Sequence, residues 1–178
     1  MKKLTKATIA GALGVVLLAG GTTFALWSDS ATVNGGSVTS GTLALTPSGT
    51  PAWTDLSDDS TIDIASFLIV PGDTIEYTAS FVVDASGANL SATLDVSDPV
   101  DATGDPALVA ATTVTQSFTD AGGDPVVDGA ITSANDGDVI DVTVTIAFDE
   151  ATTGTTAQGE TLDLSDLTVT LTQTATTP

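Results

Sequence analysis

The sequence predicts an all-β fold, an antiparallel β-sandwich of jelly-roll type preceded by a cleaved signal helix. Three observations carry that expectation. Apolar residues alternate with polar ones in stretch after stretch, and a period of two marks a strand with one buried face. Turn chemistry rich in Gly, Asp and Pro separates those stretches at short intervals. Long helical patterns are missing after residue 27, while Thr and Val, which suit a pleated and half-buried surface, are abundant.

The chain opens with its only cations. Lys2, Lys3 and Lys6 are its 3 basic residues, and no Lys, Arg or His follows them. An uncharged stretch over 7–27, with its apolar centre at 9–19, completes the pattern of an export signal. Gly20 and Gly21 break the helix, and the small residues Thr23 and Ala25 stand where signal peptidase requires them, so cleavage is expected before Leu26. The competing reading is an uncleaved anchor, since a stretch of this length can cross about 30 Å of hydrocarbon. Gly11, Gly14 and the pair Thr22 and Thr23 dilute its apolar character. Both readings place the bulk of the protein outside the cytoplasmic membrane.

Behind the cleavage point, Leu26, Trp27, Ala31 and Val33 put apolar side chains at a new terminus, followed by the flexible run Asn34, Gly35 and Gly36. A free terminal strand on a short hinge can pair with a neighbour's open sheet edge, or fold back into its own domain. The strongest strand is expected over 74–84, where Ile75, Tyr77, Ala79, Phe81 and Val83 share one face. Similar alternation runs through Leu90, Ala92, Leu94 and Val96, through Val142, Val144, Ile146 and Phe148, and through Leu167, Val169 and Leu171. Weaker candidates at 42–45, 61–70 and 109–118 bring the total to roughly seven or more strands. Turns are expected over 47–59, 97–106, 120–128, 133–138 and 152–159.

A short echo recurs. Gly72-Asp73, Gly137-Asp138 and Gly159-Glu160 each precede an alternating stretch, and each reads as a strand-entry turn: glycine admits a positive φ and the acid bonds nearby amides. The domain organisation that follows is a signal peptide at 1–25, an N-terminal segment and hinge at 26–36, and one sandwich at 37–178.

Composition narrows the function. With the signal removed, 23 Asp and Glu face no side-chain cation. Phosphate contact needs Lys and Arg, so nucleic acid is excluded as a partner, and an anionic lipid surface is disfavoured by the same sign. Disorder is not expected, because 42% of the residues are apolar. About 150 residues can bury about 68% of their unfolded surface without disulfides, and this chain has no cysteine. The lack of His and Cys rules out the Ser-His-Asp triad, the Cys-His pair and an H-E-x-x-H zinc helix. Paired carboxylates could in principle hydrolyse glycosides, but nothing singles out a pair among Glu76, Glu150, Glu160 and the aspartates. No enzyme activity and no cofactor are therefore expected.

Oxygen donors suit a hard cation, which makes weak calcium binding the one metal reading to weigh. Asp136, Asp138 and Asp141, beside Asn135, are the candidate ligands, with Asp55, Asp58 and Asp59 a second cluster. Neither has EF-hand spacing, and solvated acidic turns are the plainer reading. Trp53 is expected to plug one end of the core and Trp27 to be buried between subunits.

Four segments resemble the TasA/camelysin group of secreted, fibre-forming surface proteins. The export segment 20–29, with its Phe24-Ala25-Leu26-Trp27 exit, is similar to that group's alternate-type signal peptide. Ser40-Gly41-Thr42-Leu43-Ala44-Leu45 resembles its S-G-T-L-x-L strand, and Val70-Pro71-Gly72-Asp73 its x-P-G-D turn. Gln158-Gly159 before a final alternating strand echoes the family's ending more loosely, and 94–138 shows no motif to place. The resemblance implies a jelly-roll-like sandwich whose subunits polymerise, the mature N-terminal strand of one completing the sheet of the next. Carried onto this chain, that strand is 26–33, with Leu26, Trp27, Ala31 and Val33 as its apolar residues. Some camelysin-like proteins bear a peptidase label, for which these residues offer no chemistry.

The expected protein is therefore a secreted, non-enzymatic subunit of extracellular or biofilm-matrix fibres. It is a homo-polymer that meets signal peptidase during export and no membrane when mature. The alternative is a monomeric adhesin or carbohydrate-binding module with calcium. The polar stretch 172–178 offers no apolar anchor, so surface retention is expected through assembly or a partner. Carboxylate repulsion predicts that salt, divalent cations or mild acid favour assembly.

Overall fold

A computed structural model describes residues 35–97, 105–165 and 167–175. The signal-cleavage residues Thr23, Ala25 and Leu26, and the expected assembly strand with Trp27, Ala31 and Val33, lie outside them.

The described residues form eight strands: β1 Thr42–Asp55, β2 Ser60–Ile62, β3 Thr74–Ser86, β4 Ser91–Val96, β5 Thr112–Asp120, β6 Ala130–Thr132, β7 Val139–Phe148 and β8 Val169–Gln173. They make two antiparallel sheets, one ordered β2-β1-β3-β7-β5 and the other β6-β4-β8. The all-β sandwich expected from the sequence is what the chain forms. From β3 onward every connection passes from one sheet to the other, so only β1 and β2 are a hairpin of neighbours in sequence. The remaining ladders join distant segments, which makes the fold rich in non-local contacts.

The alternation read from the sequence is the core. On β7, Ile140, Val142, Val144, Ile146 and Phe148 are all buried, while the residues between them face outward. Register places Ile75 opposite Ile146 and Phe81 opposite Ile140 on one side, and Val114 opposite Ile146 and Phe118 opposite Val142 on the other. Ala92, Leu94 and Val96 of β4 close the core from the second sheet, joined by Ile131 of β6. Trp53 packs against this cluster, its ring centroid 5.1 Å from that of Tyr77 with the planes tilted 49°. Burial there raises the pKa of the Tyr77 phenol.

Several expected boundaries move for local reasons. Residues 47–59 were expected as turn, but β1 continues to Asp55 through an irregularity between Ser48 and Ala52. There β1 advances four positions while β3 advances two, from Ser80 to Thr78. The even surplus preserves the alternation, so Leu43, Leu45 and Trp53 all face the core; an odd surplus would turn Trp53 outward. Pro47 and Pro51 are tolerated because β1 has an uncovered side.

The strand expected over 61–70 shrinks to β2. The Asp63 carbonyl accepts N–H bonds from Ser66 and Phe67, both at 3.0 Å, and its carboxylate accepts from Ala65, so a local turn replaces the ladder. The strand expected over 109–118 divides. Pro106–Ala110 forms a helical turn, α1, because Asp105 caps it by accepting from the Ala107 N–H at 2.9 Å with Pro106 in the first turn. The ladder then begins at Thr112. Gly72-Asp73 and Gly137-Asp138 do enter β3 and β7, but the described residues that follow Gly159-Glu160 belong to no strand until Val169 begins β8.

Two side-chain contacts escape any period. Gln116 accepts from the Val96 N–H and donates to Asp95 Oδ1, both at 3.0 Å, and so ties edge strand β5 to β4 in the other sheet. Glu160 lies against Asp105, the α1 cap. The hydrogen bond between the two carboxyls, and then the like charge, raise the Glu160 pKa.

Two measurements check these packing arguments. Ile146→Ala is expected to cost about 2–5 kcal/mol in urea unfolding, whereas Thr143→Ala on the outer face changes stability by about 0.5 kcal/mol or less. In a carboxyl NMR titration Glu160 should titrate above an ordinary glutamate, and Asp105→Asn, which still caps α1, should return it to the ordinary value. With the folded pKa raised, this contact is favoured in mild acid and is lost as pH rises through the Glu160 titration.

Candidate assembly edge

Residues 35–41 have no regular structure and are exposed, Val38 at 98%. Where this stretch enters β1, Gly41 lies so close to β3 that a Cβ would stand 1.9 Å from the Ser86 carbonyl oxygen, which admits glycine alone. The next residue fastens the junction. The Thr42 N–H donates to Ser86 Oγ at 2.9 Å, and its hydroxyl bonds Asp84 Oδ1 and Ser86 Oγ. The Ser40-Gly41-Thr42 sequence thus sets the point at which the chain joins the sheet.

From that point β1 runs along the side of its sheet. It pairs with β3 from Thr42 to Asp55, but β2 covers its other side only at Trp53, Thr54 and Asp55. Among the described residues no strand pairs with the outer edge of β1 before Trp53. In the second sheet β8 pairs with β4 alone, leaving its own outer edge open among the described residues. The two open strands approach each other where the sheets meet. On these two strands Leu43, Leu45, Val169 and Leu171 pack on the core but stay half-buried, so an apolar seam accompanies the two edges that, among the described residues, are open to main-chain hydrogen bonds. No net cation offsets this edge, and Asp84 stands beside its entrance.

The acidic turn considered for calcium does structural work. Asp136 Oδ1 accepts from the Ala85 N–H at 2.9 Å, Asp138 Oδ2 accepts from Asn135 Nδ2 at 3.3 Å, and Asp141 Oδ1 accepts from the Ser80 hydroxyl. Main-chain bonds between Gly137 and Val83, and between Val83 and Asp138, fix the turn to β3. The three carboxylates are turned to three separate partners, and among the described residues no group of three or more His, Cys, Asp or Glu is placed to hold a metal ion. Asp55 and Asp58 each accept from the amide two residues on, Ser57 and Ser60.

Val70-Pro71-Gly72-Asp73 is a turn as well. Asp73 accepts from the Val70 N–H at 2.8 Å and donates its own to the Val70 carbonyl at 3.0 Å, and Gly72 reaches Phe148 of β7. Trp53, expected from its sequence context to plug one end of the core, is half-buried and packs against the core cluster from its margin. The open seam is what sequence reasoning missed: Leu43 and Leu45 read only as a weak strand, and nothing local tells an edge from a centre.

The comparisons with known proteins agree with the motifs above. No curated protein and no solved structure matches the chain. Residues 1–99 match the family model described as camelysin metallo-endopeptidase. That match spans the expected signal segment, β1, the Val70–Asp73 turn, β3 and β4, more than half of the 178 residues. On this ground the chain belongs to the camelysin family.

Proposed function

We propose that the protein is a secreted structural subunit that polymerises at the cell surface or in the extracellular matrix, its segment 26–33 entering the open seam of a second copy. The observation that carries this reading is the seam itself. Two unpaired edges flank half-buried Leu43, Leu45, Val169 and Leu171, and a strand bearing Leu26, Trp27, Ala31 and Val33 supplies both the main-chain partners and the apolar cover. The exposed stretch 35–41 supplies the reach between copies.

Hydrolysis is the other activity attached to the family description. A peptidase metal centre draws on His, Cys and Glu or Asp. This chain has no His and no Cys, and its described carboxylates do not converge, so its residues do not fit such a centre. No catalytic step is assigned to it.

Removal of 26–33 tests the reading. The shortened chain is expected to unfold at nearly the same urea concentration as the chain starting at Leu26 and to form no filaments by negative-stain electron microscopy. A synthetic peptide of 26–33 should bind the shortened chain; filaments without the segment would overturn the proposal. Added calcium or mild acid should raise filament yield from the full mature chain, because both relieve carboxylate repulsion at the contact, and a fall in yield would count against strand exchange at this edge.

A further inference from the structure

At the end of the sandwich where β1 finishes and β3 begins, three large apolar side chains point into solvent. Leu56 is 39% exposed, Leu68 87% and Val70 55%. The backbone holds the segments that carry them at the same end of the sheet. The Leu56 N–H donates to the Thr74 carbonyl at 2.9 Å, Val70 and Asp73 bond each other, and Gly72 reaches the end of β7 at Phe148. Over 67–70 the side chains alternate: Phe67 and Ile69 pack on the core, while Leu68 and Val70 face outward, although these residues belong to no strand. Isolated exposed apolar residues are ordinary, but several gathered on one surface mark a contact.

Charge identifies the occupant. Asp55, Asp58, Asp59, Asp63, Asp73 and Glu150 belong to the same turns and strand ends; Glu150 stands over Gly72, where a Cβ would be 3.7 Å from its own. A second copy cannot answer these carboxylates, since no Lys, Arg or His follows Lys6. The segment 26–33 has no side-chain cation either, and an anionic membrane has the wrong sign. We infer that this end of the sandwich docks a different protein through a Lys- or Arg-bearing segment whose apolar residues cover Leu68 and Val70. The site is separate from the seam and does not depend on polymerisation.

Fluorescence anisotropy of the mature chain with a labelled amphipathic Leu/Lys peptide, at physiological salt, tests the inference. The variant Leu68→Ser/Val70→Ser should weaken binding about tenfold or more through lost apolar cover. Val127→Ser, which removes an apolar side chain 67% exposed on another turn, should leave binding unchanged. A Leu/Glu peptide should not bind. Equal affinity for the two variants would reduce the contact to general attraction by a polyanion and overturn the inference. So would a self-association, measured by sedimentation on the chain lacking 26–33, that Leu68→Ser/Val70→Ser abolishes, since the occupant would then be a second copy.

Discussion

The packing of β7 between β3 and β5 is the constraint on which the rest of the molecule depends. Its inner row, Ile140, Val142, Val144, Ile146 and Phe148, meets apolar side chains from both neighbours. Leu94 and Ile131 press on the core from the second sheet. Because successive strands from β3 onward alternate between sheets, this row must gather partners from segments far apart in the chain. The core therefore exists only when both sheets do, and the turns that place β3 and β7 matter more than any local preference of the strands they begin.

A second constraint is the single sign of the charge. With no cation after Lys6, carboxylates cannot be neutralised by ion pairs within the domain. Main-chain amides take that role. Asp73, Asp105, Asp120, Asp136 and Asp149 each accept from a nearby or facing N–H. At Asp163 the bonds from the Ser165 side chain and amide hold the carboxyl below its ordinary pKa. Acidity thus shapes the turns without entering the core, where no polar or charged side chain is buried among the described residues.

The family relation and the chemistry of the chain bear on different parts of it. The camelysin match covers the first 99 residues, including the expected signal, the Gly41 junction and β1. Gly41 and Thr42 are the elements that fix where β1 begins. The family description names a metallo-endopeptidase, whereas the chain has no His and no Cys, and its described carboxylates do not converge on one point.

By itself the sequence determined the all-β class, the core-facing sides of β3, β4, β7 and β8, and the entry turns at Gly72 and Gly137, because a period of two and turn chemistry are local properties. Its lack of His and Cys also settled which metal and nucleophile chemistries the chain could hold. Tertiary structure alone decided that β1 continues past Pro47 and Pro51, that Gln116 joins the two sheets, and that among the described residues β1 and β8 keep open edges. Whether a strand lies at an edge depends on which distant segment lies beside it, and whether Leu43 or Leu68 is covered depends on how the sheets close. Neither is written in the residues next to them.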